Sequence, residues 1–370
     1  MKSELKTAII FGIIIVGAIA ALSTVFSSLE VSQTENYTKV EEKSLETQGI
    51  DKSSFKMAPD LVGISNYINT TPEELAKEID GKVVLYDIWT YSCINCIRTL
   101  PYITAWNEKY ADDGLLVIGI HSPEFEFEKD EYNVEMAVAK NGITYPVVMD
   151  NEMKTWKAFE NHYWPRKYIA DHEGFIRYDH IGEGSYDETE KVIQELLEER
   201  AIQLGFNVAS AESLVDIDEF EHSNFRTPEL YFGYNFAAGR NQLGNIEGFS
   251  PEKDVRYSVP EDLILHNFYL DGTWKNLQGS MKLVSNEGKI KLQYIAKEVN
   301  IVTANEAELS IFIDGKPITP EYAGTDVVDG KLQVTGADLY NIINSNDASS
   351  HILEIYVSNP GFEIYTFTFG

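Results

Sequence analysis

The cysteines of this chain are confined to one short motif. Only two occur in 370 residues, Cys93 and Cys96, and they form a Cys-x-x-Cys pair. A structural zinc site needs four ligands, and a disulfide framework needs several pairs placed far apart in sequence. The lone pair therefore indicates redox chemistry at the two sulfurs. A structural disulfide or half of a metal site is the alternative.

The flanking residues place this pair at the start of a helix. The apolar run 82–88 is typical of a buried strand, and residues 93–110 have a helical pattern. Cys93 would then lie at the helix N-terminus, where free backbone N–H groups and the helix dipole favour a thiolate. We expect the Cys93 thiolate to attack disulfides and Cys96, one turn later, to resolve the mixed disulfide.

The run 89–96, Trp-Thr-Tyr-Ser-Cys-Ile-Asn-Cys, resembles the active site of the thioredoxin superfamily, specifically its membrane-anchored TlpA/ResA-like and DipZ-like branch. In that family a buried strand aspartate precedes the first cysteine by six positions, and Asp87 occupies this place. A carboxyl group in an apolar strand should have a raised pKa and accept a proton from Cys96. A hydrogen-bonded aspartate near a strand end is the alternative. The family also has a cis-proline facing the cysteines, which the resemblance assigns to Pro165.

The resemblance further implies a groove for a client protein beside the cysteines. We expect Trp164, Trp89 and Tyr91 to line this groove. His121 ends the apolar run 114–121, and the C-terminal ends of parallel strands are where open α/β sheets place ligands. His121 is therefore expected beside the same edge, either as a proton shuttle or thiolate stabiliser or as a hydrogen-bonded strand-end histidine.

The resemblance covers residues 57–200 and predicts an α/β thioredoxin-like fold with the extra helix–strand insert of the TlpA type. Strand and helix patterns alternate along this range. A closing helix is predicted to begin with a capping box between Ser185 and Glu188. Residues 201–226 lack periodicity and are interpreted as a linker.

From 227 to 370 the sequence becomes a series of short alternating strands, which predicts an all-β sandwich. Asp314-Gly315 and Asp329-Gly330 are predicted hairpin turns. This part resembles the C-terminal domain of DipZ-like proteins, which is similar to a carbohydrate-binding module. Glycan contact is one interpretation of its aromatic residues, and a role in the core or a domain interface is the other. The residues concerned are Tyr231, Tyr234 and Trp274.

The N-terminal residues predict a membrane anchor. Residues 7–28 carry no charge, which is enough to span a bilayer as a single transmembrane helix. Lys2 and Lys6 precede this run, so the N-terminus should stay in the cytoplasm and the rest should be extracytoplasmic. A cleaved signal peptide, giving a secreted protein, is the alternative. Residues 29–56 are polar and are expected to form a flexible tether.

Composition limits the partners and cofactors. Acidic residues outnumber basic ones 59 to 30, and the formal charge of −29 argues against nucleic acid as a partner. The sequence contains no nicotinamide, flavin or phosphate-binding motif and predicts no metal site, so no cofactor is expected beyond the redox-active Cys93–Cys96 disulfide. Electrons should then come from another protein dithiol. DipZ-like proteins often carry a CcdA-type membrane domain, so the resemblance implies a separate CcdA-like membrane donor.

Three functions follow from these observations. The first is a membrane-anchored thiol–disulfide oxidoreductase that reduces the disulfides of protein clients. The second is a thiol peroxidase, because Thr90-Tyr-Ser-Cys93 matches part of a peroxiredoxin motif, although Tyr86 stands where that motif has proline. The third is a surface binding protein that acts through its β-sandwich.

Overall fold

The structure is a computed structural model that describes residues 51–206, 213–220, 226–237 and 239–370. The predicted transmembrane segment 7–28 and most of the predicted tether 29–56 lie outside these residues. Within the described part of the chain, no helix is long and apolar enough to cross a membrane.

The first domain is built on a six-stranded mixed sheet. The strands are β1 (Asn66–Ile68), β2 (Val83–Trp89), β3 (Leu115–His121), β4 (Val147–Met149), β5 (Arg166–Ala170) and β6 (Ile176–Ile181). Their order in the sheet is β1-β4-β3-β2-β5-β6. Strands β2, β3 and β4 are parallel, and β1, β5 and β6 are antiparallel to their neighbours.

Helices cover both faces of this sheet, so β2 and β3 are buried along their whole length. The helices are α1 (Pro72–Glu78), α2 (Ile94–Tyr110), α3 (Glu131–Lys140), α4 (Lys154–Ala158) and α5 (Tyr186–Leu204). One apolar cluster joins α2, α3 and α5 to one face of the sheet, and a second cluster joins α1 and α4 to the other face. A 3-10 turn, Glu126–Lys129, lies between β3 and α3. The predicted thioredoxin-like α/β domain is confirmed.

The second domain is rich in β-strands, as predicted. Its eleven strands are hydrogen-bonded into one continuous sheet around a large apolar cluster. They are β7 (Leu230–Tyr231), β8 (Asp254–Tyr257), β9 (Phe268–Asn276), β10 (Met281–Leu283), β11 (Gly288–Ala304), β12 (Ala307–Ile313), β13 (Lys316–Pro317), β14 (Val327–Val328), β15 (Lys331–Val334), β16 (Asp338–Val357) and β17 (Glu363–Phe369). A short helix, α6 (Tyr234–Ala237), follows β7.

Two long strands explain why the sheet is continuous rather than split into the two sheets of a simple sandwich. Strand β11 pairs with β9 along its first half and with β17 along its second half. Strand β10 pairs with both β9 and β17, so this part of the sheet closes on itself. Strand β16 follows β11 along most of its length, with register shifts that let both strands bend.

Three local predictions can be checked directly. Both Asp-Gly hairpin turns are confirmed, because both residues of each pair have positive φ, as a type I′ turn requires. The closing helix α5 continues to Leu204, beyond residue 200, where the predicted thioredoxin-like domain ends. The predicted capping box is wrong, because Ser185 has φ 48° and its side chain makes no capping hydrogen bond.

The two domains contact each other beside the start of α2. Phe125 and Phe127 from the loop after β3 pack on Tyr365, with ring centroids 5.1 and 4.8 Å apart respectively. Ile94 and Ile97 pack against the same interdomain cluster. The second domain therefore borders the helix that begins at the cysteines.

Candidate active site

Cys93 is the N-cap residue of α2, as the sequence predicted. Its backbone is extended, with φ −86° and ψ 116°, and its sulfur accepts a hydrogen bond from the Cys96 backbone N–H at 3.4 Å. The sulfur thus lies beside the backbone N–H groups that begin α2 and have no partner within the helix. Cys93 is partly exposed, whereas Cys96 is 1% exposed. A large disulfide-containing client has access to the first sulfur rather than the second.

Burial also changes the acidity of the Cys96 thiol. It raises the pKa of Cys96 well above its ordinary value, and a backbone hydrogen bond from Thr90 only partly opposes this. A thiol in this environment needs a base to become a nucleophile at neutral pH.

Asp87 provides a carboxyl group on the same side of the sheet. Alternation along β2 turns Asp87 to the face that carries α2, together with Leu85 and Trp89. Asp87 is 1% exposed, and its Oδ1 has no hydrogen-bond partner. Burial raises its pKa to about 7, and the positive charge of Lys167 limits the rise. The raised pKa that the sequence predicted is confirmed in direction.

Lys167 is directly opposite Asp87 on β5, and sequence reasoning missed it. The two residues are register partners, and Lys167 is 0% exposed. Its Nζ donates a hydrogen bond to the Gly182 carbonyl at 3.0 Å. Burial lowers the pKa of Lys167 to about 8, while the negative charges of Asp87, Cys96 and Glu183 oppose that change. A buried acid and a buried base with neighbouring pKa values can exchange a proton near neutral pH.

The predicted cis bond between Trp164 and Pro165 is present, immediately before β5. Trp164 is partly exposed and packs, as Cys93 does, against the apolar cluster on the α2 face. Its indole N–H donates to the Ser122 carbonyl at 2.8 Å. Trp164 is therefore in a position to border a client groove. Tyr163, directly before Trp164, is 51% exposed, and the sequence prediction did not include it.

The other three predicted groove residues are wrong as groove residues because each is buried. Trp89 is 0% exposed and lies in the core of the α/β domain. Tyr91 is 4% exposed, and its hydroxyl donates to the Ala337 carbonyl of the second domain. His121 is enclosed between these two rings, at centroid distances of 5.3 and 5.7 Å respectively.

The histidine is also unsuited to stabilising a thiolate by charge. His121 is fully buried, and its Nε2 is 3.4 Å from the Thr90 hydroxyl. Burial lowers its pKa to about 3, so the ring is neutral at physiological pH. The alternative interpretation, a hydrogen-bonded histidine at a strand end, agrees with this geometry.

Comparison with known proteins identifies the family. The Redoxin model matches residues 56–197, and the model described as "Thioredoxin like C-terminal domain" matches residues 227–370. YkuV, a thiol-disulfide oxidoreductase of Bacillus subtilis, is 31% identical over 143 residues, which are 38% of this chain and 94% of that protein. The chain belongs to the thioredoxin-like thiol–disulfide oxidoreductases.

The similarity extends over both domains in a second relative. Protein DipZ of Mycobacterium tuberculosis is 35% identical over 321 residues, which are 85% of this chain. The chain spans 43% of the length of that relative. Among solved structures, a thioredoxin-like protein in its oxidised form is 30% identical, with a TM-score of 0.36, over 39% of this chain and 97% of that one.

Glu128 is the second residue near the cysteines that sequence reasoning missed. It lies in the 3-10 turn after β3, is 0% exposed, and accepts a hydrogen bond from Ser92, the residue before Cys93. The sequence offered little signal for it, because Glu128 stands in an acidic run, 124–131, that is typical of a solvated loop.

The aromatic residues considered for glycan contact belong mainly to buried regions. Trp274 is 0% exposed in the core of the second domain, and Tyr231 is 6% exposed at the domain interface. The sugar-platform interpretation is therefore wrong for these two residues, and the core or interface interpretation is right.

Proposed function

We propose that this chain is a membrane-anchored, extracytoplasmic thiol–disulfide oxidoreductase that reduces protein disulfides with the Cys93–Cys96 dithiol. The observation that carries the proposal is the unequal placement of the two sulfurs. Cys93 is accessible at the N-terminus of α2, and Cys96 is buried one turn further along.

The proposed reaction transfers two electrons and two protons to the client. The Cys93 thiolate attacks one sulfur of the client disulfide, the client S–S bond breaks, and the departing client sulfur takes a proton from water. Cys96 then gives its proton to a base and attacks Cys93 in the mixed disulfide, which forms the Cys93–Cys96 disulfide and releases the second client thiolate. That thiolate takes the second proton from water. The client disulfide is reduced to two thiols, and the enzyme dithiol is oxidised.

The second step needs a base, and we assign that role to Asp87. The raised pKa of Cys96 keeps it protonated until its proton is removed, and the Asp87 carboxylate is the proposed acceptor. Lys167, on the neighbouring strand, keeps part of the Asp87 population ionised at neutral pH because its positive charge stabilises the carboxylate. Pro165 and Trp164 are proposed to shape the client groove, with Tyr163 as an added contact.

Each turnover leaves the enzyme oxidised, so a donor must return two electrons. We assign this role to a CcdA-like membrane dithiol protein, reached from an anchor at residues 7–28. The uncharged stretch 7–28 and the lysines before it support this arrangement.

Trapping of the mixed disulfide tests the proposal. Reduced Cys96→Ser protein, incubated with insulin as a disulfide probe, should accumulate a covalent adduct through Cys93 that dithiothreitol releases. Cys93→Ser protein is the matched control and should form none. Adducts of equal yield with both variants, or an adduct with Cys93→Ser alone, would refute the assigned order of attack.

Topology is tested separately in cells. A membrane-impermeant maleimide should label Cys93 of the full chain in intact cells that express it, and carbonate washing should leave the protein with the membranes. Labelling only after lysis would contradict the extracytoplasmic placement. Release of the protein by carbonate would contradict the anchor.

A further inference from the structure

Glu128 holds the turn that precedes Cys93 through a completely buried carboxylate. Its Oε1 accepts a hydrogen bond from the Ser92 hydroxyl at 2.5 Å. Its Oε2 accepts the backbone N–H groups of Glu124 and Phe125 at 2.6 and 2.8 Å. One side chain thus joins two segments that are distant in sequence, the turn at residues 90–93 and the β3–α3 loop at residues 122–130.

The donors around Glu128 match an ionised carboxylate. Both oxygens accept hydrogen bonds from protein groups, and a carboxylate has only acceptors to offer. Burial raises the pKa of Glu128, while the hydrogen bonds from Ser92, Thr90 and the two backbone groups oppose that effect. Three hydrogen bonds to one buried side chain thus fix the turn.

The turn held in this way carries the nucleophile. Ser92 is 2% exposed and directly precedes Cys93. The Cys93 N–H donates to the Thr90 carbonyl at 3.3 Å, which closes the turn. A displacement of Ser92 would therefore move the Cys93 sulfur relative to the N–H groups at the start of α2.

The β3–α3 loop is in turn fixed by the second domain. The backbone N–H of Phe125 donates to Glu128, and its ring packs on Phe236 and Tyr365, with ring centroids 5.5 and 5.1 Å apart respectively. Phe127, which directly precedes Glu128, packs on Tyr365 at 4.8 Å. A continuous set of contacts thus runs from the second domain through Glu128 and Ser92 to Cys93.

We infer that Glu128 is a positioning residue for disulfide exchange, through which the β3–α3 loop and the second domain hold the Cys93 turn in its reactive geometry. The inference rests on the proposed role of Cys93 as nucleophile. It also gives the second domain a part in the reaction that requires no ligand of its own.

The test measures the second-order rate constant for attack of the reduced full chain on 5,5′-dithiobis(2-nitrobenzoic acid), a small disulfide that needs no client groove. Glu128→Ala should slow this reaction by about tenfold, because it leaves the Ser92 hydroxyl and two backbone N–H groups without their acceptor. Glu128→Gln should restore the rate to within about threefold, because an amide of the same shape can accept the two N–H groups and donate to Ser92. Glu126→Ala, in the same turn but exposed, is the matched control and should react as the unmodified chain does.

A double-mutant cycle guards against a change in folding alone. Ser92→Ala removes a single hydroxyl, and its effect on the rate should largely disappear in the Glu128→Ala background, because both changes break the same contact. Far-UV circular dichroism and thermal unfolding should show that each variant is folded at the assay temperature.

The outcomes separate the two proposals. If the unmodified chain attacks the reagent and both Glu128 variants do so at its rate, the positioning role is refuted while the proposed function stands. Additive effects of Ser92→Ala and Glu128→Ala would also refute it. If Cys93 of the unmodified chain fails to attack the reagent, the proposed function itself fails.

Discussion

The two domains bury polar side chains of different kinds. Within the described residues, the α/β domain buries carboxyl, imidazole and amine side chains on and around its sheet, namely Asp87, His121, Glu128, Asp150, Lys167, Asp171 and Glu190. The β-rich domain buries mainly amides and hydroxyls, such as Asn276, whose Oδ1 accepts hydrogen bonds from Ser250 N–H and Tyr257 O–H, both at 2.9 Å. Its buried glutamate, Glu354, is paired with Lys289 and Lys291 at 3.2 and 3.3 Å.

This difference separates polar groups that specify a fold from those that are available for chemistry. A buried amide with all its partners stabilises one arrangement of strands. Asp87, in contrast, has an unpaired oxygen and a pKa near neutrality, so it is destabilising when ionised and able to exchange a proton. The comparison predicts opposite results for substitutions in the two domains: loss of stability in one and loss of activity in the other.

The largest expected loss of stability is at Asn276. Asn276→Ala should lower the free energy of unfolding of the β-rich domain by about 3 kcal/mol. The change removes the acceptor of the Ser250 N–H, one of the two acceptors of the Tyr257 hydroxyl, and the amide that donates to the Lys253 and Trp274 carbonyls. Urea denaturation followed by tryptophan fluorescence measures this change. Insulin reduction per folded molecule should be unaltered. Asn267→Ala, which removes an exposed hydrogen bond, is the control and should change stability by less than about 0.5 kcal/mol.

The next effect is a gain of stability at Asp87. Burial raises the pKa of Asp87 from 3.8 to about 7, so the folded state binds this proton more tightly than the unfolded state. That contribution is complete below pH 3.8 and is lost as the pH rises through about 7. Asp87→Asn should therefore be more stable than the unmodified chain at pH 8, by up to about 4 kcal/mol because each pKa unit corresponds to about 1.4 kcal/mol, and nearly equal to it at pH 4.

The measurement is urea denaturation of the reduced protein at both pH values. The exposed Asp112→Asn variant is the control and should follow the unmodified chain at each. An Asp87→Asn protein that is less stable than the unmodified chain at pH 8 would show that the carboxylate has a structural function.

The same substitution should slow the reaction by about tenfold at pH 7, because Cys96 loses its proton acceptor. The difference should shrink towards pH 9, where hydroxide can remove the Cys96 proton. Insulin reduction with excess dithiothreitol as donor, measured from pH 6 to pH 9, gives the profile. Equal rates across this range would place the proton route elsewhere.

The smallest effect is expected at Lys167. Lys167→Met removes the positive charge that lowers the Asp87 pKa, so the Asp87 pKa should rise above about 7. The rate at pH 7 should then fall by about threefold and recover at higher pH, so the pH profile of the rate shifts to higher pH. Lys157→Met on the exposed side of α4 is the control and should leave the profile in place. A profile displaced to lower pH would contradict the assigned charge effect.

The sequence predicted the α/β domain well because its signals are local. The buried strands, the cysteine helix and the cis Trp164–Pro165 bond follow from apolar runs and from a motif of known geometry. The hairpins at Asp314-Gly315 and Asp329-Gly330 were predictable because few residue pairs adopt positive φ at both positions. Asp87 was predictable because a lone carboxyl interrupts an apolar strand.

The remaining site residues depend on long-range packing, which the sequence pattern does not contain. Lys167 is opposite Asp87 only because β5 pairs with β2 in one particular register. Trp89 and Tyr91 looked accessible from their place in the motif, but the α/β core and the second domain cover them. The continuous sheet of the second domain depends on the lengths and bends of β11 and β16, and local alternation does not reveal these.

The hydrogen bond that the Cys93 sulfur accepts at the start of α2 also connects folding to electron affinity. In the proposed exchange, the Cys93 sulfur is free in the reduced state and bonded to Cys96 in the oxidised state. A free sulfur accepts this hydrogen bond more strongly than a disulfide sulfur, so the contact favours the reduced state. By the thermodynamic cycle that links oxidation and unfolding, stabilisation confined to the reduced fold makes the disulfide easier to reduce. Each 1.4 kcal/mol raises the two-electron reduction potential by about 30 mV. The first turn of one helix therefore helps to determine from which donors this protein can accept electrons and to which disulfides it can pass them.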